Sequence, residues 1–201
     1  MFRKMLFGFS AVSFLLSAVT VATAQDVTQS IEEQRTIYSD IAKKIWEYAE
    51  VGYQEEKSSR LLQSVLDESG FSIEGGVAEI PTAFVASYGQ GKPVIAILAE
   101  FDALPGLSQA ASTEKNPIVE NAPGHGCGHH LFGTASTAAA IAVKDWLVST
   151  KTSGTIRLYG TPAEEGGAGK VYMVREGLFD DVDVTFAWHP GDRKPPLDYR
   201  K

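Results

Sequence analysis

Seven consecutive residues, 124–130, contain the single cysteine of the chain and three of its four histidines, in the order GHGCGHH. Thiolate sulfur and imidazole nitrogen are ligands that borderline divalent metals such as Zn²⁺ favour. Glycine on either side of Cys127 permits tight backbone torsions and a close approach to an ion. In an extended stretch, Cys127 and His129 would lie on the same side. The alternative is a glycine-rich loop that contains these histidines incidentally.

Further acidic and imidazole side chains follow three strand-like runs elsewhere in the chain. Glu100 and Asp102 follow PVIAILA, Glu164 and Glu165 follow GTIRLYGTPA, and His189 lies in AWHP. A hydrolytic metal site needs one carboxylate to bind the ion and another to move protons. Asp102 could also accept the N–H of a ligand histidine and fix its tautomer. Alternatively, the paired glutamates belong to a solvated loop and His189 is structural.

Other catalytic arrangements are less well supported by the sequence. It contains no G-x-S-x-G nucleophile motif, and no phosphate-binding G-x-x-x-x-G-K-[ST] motif. A nucleophilic pair formed by Cys127 and His129 is conceivable, but it would leave the paired glutamates without a role. His125 could face a substrate.

Alternating helices and strands must position these groups. Helices are predicted over about 27–50, 54–68, 133–150 and 169–179, and strands over 82–89, 93–101, 154–162 and 182–190, with a long irregular loop over 102–126. This order predicts an α/β fold, with a three-layer, mostly parallel sheet flanked by helices. Because the carboxyl ends of parallel strands meet at one edge, all four pieces should converge there.

The chain begins with features of an export signal. Basic residues in MFRK precede an apolar run, and ATA at 22–24 fits a small-residue cleavage site. We therefore expect a signal peptide over 1–24, export to the periplasm or medium, and no membrane association after cleavage; the alternative is an uncleaved membrane anchor. Residues 25–191 would form one domain and 192–201 an irregular tail. The formal net charge of −7 argues against nucleic acid as a partner.

Several of these motifs, taken in order, resemble one known family. The order C-G-H, E-E-G-G and a strand-end H-P is similar to the co-catalytic metallopeptidases of the aminoacylase and carboxypeptidase G type, peptidase family M20. PGHGCGHHLFGTAS and YGTPAEEGGAGK look most like its bacterial amidohydrolases related to p-aminobenzoyl-glutamate hydrolase. WEYAEVGYQEEKSS and LAEFDALPG also resemble family segments. The resemblance covers about residues 38–191 and implies a zinc-exopeptidase-like catalytic domain.

The resemblance also implies roles for individual residues. It implies four metal ligands: Cys127, His129, Glu165 and His189. Glu164 would be the general base and acid, and Asp102 would support the metal centre. The implied cofactors are two divalent ions, with Zn²⁺ suited to cysteine and histidine, and Mn²⁺ or Co²⁺ as alternatives. The implied reaction is hydrolysis of the amide bond of an N-acyl or N-aroyl amino acid by a metal-bridged water.

Relatives of this type continue with a lid domain that forms a homodimer, and with a returning segment that carries a last histidine ligand. This sequence stops at Lys201. We therefore expect the N-terminal part of the catalytic domain, truncated before the lid. The alternatives are an inactive fragment that retains at most a partial metal site, and a metal-binding module without catalysis.

Overall fold

The computed structural model describes residues 24–191. Residues 1–23 of the predicted signal peptide and the predicted tail 192–201 lie outside this range. The helices are α1 (Ala24–Glu33), α2 (Arg35–Tyr48), α3 (Glu56–Glu68), α4 (His129–Thr150) and α5 (Gly169–Arg175). The strands are β1 (Ser72–Gly75), β2 (Phe84–Gln90), β3 (Val94–Ala99), β4 (Gly154–Gly160) and β5 (Val184–Phe186), and a 3₁₀ turn spans Val77–Glu79. No helix in this range has the length and apolar character needed to cross a membrane.

The five strands form one mixed sheet in the order β1-β2-β4-β3-β5. Strand β3 pairs in parallel with β4 and with β5, whereas β2 pairs antiparallel with β1 and β4. Of the described strands, β2 therefore runs opposite to the rest. The short connection from β1 to β2 permits only antiparallel pairing, since parallel neighbours need a longer crossover. The predicted α/β sheet flanked by helices is confirmed, with β2 making the sheet mixed.

Both faces of the central strands are apolar, as expected for a sheet covered on each side. In β3, Ile97 and Ala99 face a core shared with α2, α3 and α4, whereas Ala96 faces a second core that includes Met173 of α5. Alternate residues of β2 and β4 divide in the same way between the two cores. This alternation produces three layers, helix, sheet and helix.

Several element boundaries differ from the sequence prediction. The helix predicted over 27–50 is interrupted at Gln34, which leaves the α-helical region between α1 and α2. The strand predicted over 182–190 is limited to Val184–Phe186, where three residues pair with β3. Helix α4 begins at His129, four residues earlier than predicted, because Gly128 with φ of +83° provides its left-handed N-cap.

Candidate metal centre

The carboxyl ends of three parallel strands and the start of α4 meet at one edge of the sheet. Strand β3 ends at Ala99, β4 at Gly160 and β5 at Phe186, and each is followed within five residues by an acidic or imidazole side chain. Helix α4 approaches this edge closely at Gly133, where a Cβ atom would lie 2.8 Å from the Glu100 carbonyl oxygen. The predicted convergence of the four pieces is confirmed.

His129 lies at the centre of this edge, with its side chain wholly buried. Its Nδ1 lies 2.9 Å from Asp102 Oδ1 and donates to it, so Nε2 is left to face Glu100 Oε2 at 3.0 Å and Glu164 Oε2 at 3.9 Å. Burial alone would lower the pKa of His129, but Asp102 and Glu100 raise it to about 10. In the metal-free protein, the imidazole therefore carries a second proton, on Nε2, which a bound cation would replace.

Asp102 joins two of the sequence-predicted site residues. While Oδ1 accepts from His129, Oδ2 accepts from the backbone N–H of Glu165 at 2.8 Å, and the carboxylate itself is fully buried. One side chain thus orients the histidine and holds the loop that follows β4. This is the arrangement that fixes the tautomer and direction of a histidine ligand.

Cys127 and His189 form the more exposed side of the cluster. Cys127 Sγ lies 3.2 Å from His189 Nε2, and His189 Nδ1 lies 2.8 Å from the Pro190 carbonyl, to which it donates. Burial, followed by the hydrogen bond and charge of Glu165, raises the pKa of the Cys127 thiol to about 11. Cys127 and His129 do not lie on an extended stretch as predicted, because Gly128 between them is left-handed.

The ligand atoms form two adjacent groups, each within 4.8 Å: Cys127, His129 and His189, and then Glu100, His129 and Glu164. Three buried atoms here have no hydrogen-bond partner: Glu100 Oε2, His129 Nε2 and Glu165 Oε1. The first two lie only 3.0 Å apart, yet their geometry is not that of a hydrogen bond. Unpaired buried atoms of this kind are costly, and a divalent cation would satisfy them. The residues therefore fit a metal ion.

The sequence places Glu100 among the converging carboxylates but gives it no individual role, and it gives Lys170 none. Glu100 belongs to the second group, and its other oxygen accepts from the Lys170 ammonium at 2.5 Å. Burial alone would raise the pKa of Glu100, but the nearby His129 and Lys170 side chains lower it below its usual value. Glu165 belongs to neither group, although its carboxylate contacts Cys127, so its role as a ligand stays a prediction.

The remaining two histidines of the GHGCGHH stretch lie behind the cluster. His125, which could have faced a substrate, is instead buried, and its Nε2 lies 3.0 Å from the Ile45 carbonyl oxygen. The His130 ring meets the edge of Trp46 at a centroid distance of 4.8 Å. Burial lowers the pKa of both imidazoles to about 4, so they are neutral and pack against α2.

Comparison with known proteins gives consistent matches. Residues 96–198, just over half of the chain, match the sequence pattern of peptidase family M20/M25/M40. The chain is 52% identical to one of the subunits of p-aminobenzoyl-glutamate hydrolase from Escherichia coli, over 82% of this chain and 34% of that protein. It is 35% identical to an IAA-amino acid hydrolase of Arabidopsis thaliana, over 74% of this chain and 33% of that protein. The chain thus spans about a third of the length of these relatives.

Solved structures agree with the family match. A dinuclear metal binding peptidase of the M20 family from Bacillus subtilis superposes with a TM-score of 0.66 and 25% identity, over 82% of this chain and 45% of that chain. An aminobenzoyl-glutamate utilization protein from Klebsiella pneumoniae gives a TM-score of 0.62 at 19% identity, over 82% of this chain and 46% of that chain. The second likeness concerns the fold alone.

Proposed function

Since the chain belongs to peptidase family M20/M25/M40, a family of hydrolases, we propose that it carries the metal-binding part of an amidohydrolase. The substrate would be an N-acyl or N-aroyl amino acid, with p-aminobenzoyl-glutamate the first candidate because the E. coli relative is named for it. The observation that carries the proposal is the set of unpaired buried atoms on Glu100, His129 and Glu165, next to Cys127 and His189.

Two divalent ions would be held by ligands from both groups, without Glu164 and with Glu165 added: Cys127, His129, His189, Glu100 and Glu165. We propose Zn²⁺, because a thiolate and two imidazoles suit it, with Mn²⁺ and Co²⁺ as the alternatives. When bound, such an ion supplies Lewis-acid polarisation of the amide carbonyl.

The protein's own residues would supply orientation and proton transfer. Asp102 holds the imidazole of His129 so that Nε2 faces the cluster. Glu164 keeps 43% of its side chain exposed while lying 3.9 Å from that nitrogen, so its carboxylate faces both the cluster and the solvent side. From there Glu164 would take a proton from the attacking water and pass it to the leaving amine.

Metal content and hydrolysis, measured on the same samples, test the proposal. We expect about two metal ions per chain for two adjacent ligand groups, and release of p-aminobenzoate from p-aminobenzoyl-glutamate. Glu164→Gln should keep the metal and lose turnover, whereas Cys127→Ala should lose metal. Glu176→Gln, an exposed glutamate beyond α5, is the matched control. A chain that binds metal but does not hydrolyse the substrate would support the alternative of an inactive fragment. A chain that binds no metal would refute the proposal.

We also propose that the chain is exported, as the basic start, the apolar run and ATA at 22–24 predict. N-terminal sequencing of the protein recovered from a periplasmic fraction should begin at Gln25. Recovery of full-length chain in the cytosol would contradict this. A homodimer, implied for the longer relatives, stays a prediction that sedimentation analysis would test.

A further inference from the structure

A second buried carboxylate lies outside the metal-ligand cluster. Glu55, the residue before α3, has no exposed surface. Its Oε1 accepts from the Ala163 N–H at 2.8 Å and its Oε2 accepts from the Thr82 hydroxyl at 3.0 Å. Within residues 24–191, none of the lysine, arginine and histidine side chains forms an ion pair with it. Burying a carboxylate on neutral partners is costly, which indicates a specific use.

The backbone that Glu55 holds leads directly into the paired glutamates. Ala163 precedes Glu164 and adopts a left-handed conformation with φ of +57°, which is unusual for alanine. The turn before Glu55 packs against it, since a Cβ on Gly52 would lie 2.9 Å from Ala163 Cα. Both the hydrogen bond and the packing therefore fix the point at which the loop leaves β4 and turns towards the cluster.

The same turn also holds the far end of this loop. Tyr53, itself left-handed with φ of +65°, donates its hydroxyl to the Gly167 carbonyl. Between these two anchors, the Glu165 N–H donates to Asp102. The segment 163–167 is thus held at its start, its middle and its end by groups from other parts of the chain. Strained residues held by their surroundings often occur at functional sites.

We propose that Glu55 is a positioning residue, whose buried carboxylate fixes Ala163 so that Glu164 and Glu165 face His129 and Cys127. The significance for catalysis rests on the proposed function, but the positioning itself is a property of the metal-free chain. Glutamine should serve nearly as well as glutamate, because its oxygen can accept from Ala163 while its amide donates to the Thr82 hydroxyl. Alanine would leave the Ala163 N–H buried without a partner.

Hydrogen exchange of individual amides in the metal-free full chain tests the positioning. In Glu55→Ala, the Ala163 and Glu165 amides should exchange roughly 10-fold faster, the effect of losing one buried hydrogen bond. Glu55→Gln should restore slow exchange, and Glu56→Ala, its exposed neighbour, should change nothing. Unchanged exchange at these amides, or uniform acceleration throughout the sheet, would overturn the proposal.

If Glu55→Ala does not fold, hydrogen exchange is measured on Glu55→Asp instead. It keeps the charge but shortens the side chain by one methylene, so the same local acceleration is expected, and slow exchange would overturn the proposal. Cobalt titration followed by the visible spectrum adds a second readout, with binding about 10-fold weaker in the alanine variant. If wild-type chain binds no cobalt, the proposed function fails, whereas the exchange result still decides the role of Glu55.

Discussion

Replacing Asp102 by asparagine should weaken metal binding, because both of its oxygens accept from donors. His129 Nδ1 lies at 2.9 Å and the Glu165 N–H at 2.8 Å, and the side chain has no exposed surface. An amide has one oxygen and one NH₂ group, so one of the two donors would face another donor. The lost hydrogen bond leaves a buried group unpaired, at a cost of about 1–3 kcal/mol.

This cost corresponds to roughly 5- to 150-fold weaker binding, at about 1.4 kcal/mol per factor of ten. A second effect opposes it at neutral pH. Asp102 is one of the groups that raise the pKa of His129, so its removal eases loss of the proton that competes with the metal. We therefore expect the difference between wild type and Asp102→Asn to be larger at pH 9 than at pH 7.

Zinc affinity at both pH values, measured by competition with a chromophoric chelator, checks this expectation. Asp67→Asn, on the exposed face of α3, is the matched control and should bind zinc as the wild type does. Equal affinity of Asp102→Asn and wild type at both pH values would refute the argument that Asp102 orients the ligands. A difference that shrinks as pH rises would refute the argument about proton competition.

Three further predictions concern pH, close packing and helix capping. The zinc Kd should fall about 100-fold per pH unit between pH 7 and 9, because binding releases protons from Cys127 and His129, whose pKa values are raised to about 11 and 10; a pH-independent Kd would contradict this. Gly133→Ala should lower the free energy of unfolding, measured in urea, by about 1–3 kcal/mol, since its Cβ would lie 2.8 Å from the Glu100 carbonyl oxygen. An unchanged free energy of unfolding would contradict this and show that α4 can shift. Glu50→Ala should lower stability by about 1 kcal/mol, because its carboxylate accepts the N–H groups of residues 57 and 58 at the start of α3; an unchanged melting temperature would contradict this.

Patterns of apolar residues predicted the buried strands β3 and β4 and the order of the elements, so the convergence of Asp102, Glu164 and His189 was predictable. The end of β5 was not, because this strand is exposed and stops at Phe186. Strand ends are local features, and parallel pairing places them together without further information. The extended geometry predicted for Cys127 and His129 was wrong, because it depended on the left-handed torsion of Gly128. Glycine permits that torsion but does not require it, and the choice is made by packing at the start of α4.

The sequence by itself determined the α/β layers, the edge of the sheet that carries chemistry and the types of ligand collected there. Periodicity and strand ends record these features along the chain. Only the tertiary structure decided that Glu100 accepts from Lys170 while its other oxygen faces His129, and that Glu55 reaches Ala163. Lys170 and Glu100 are separated by 70 positions in the chain, and Ala163 and Glu55 by 108. Each contact also depends on which carboxylate oxygen faces which donor. Such pairings are set by the packing of whole elements, to which no local pattern of residues corresponds.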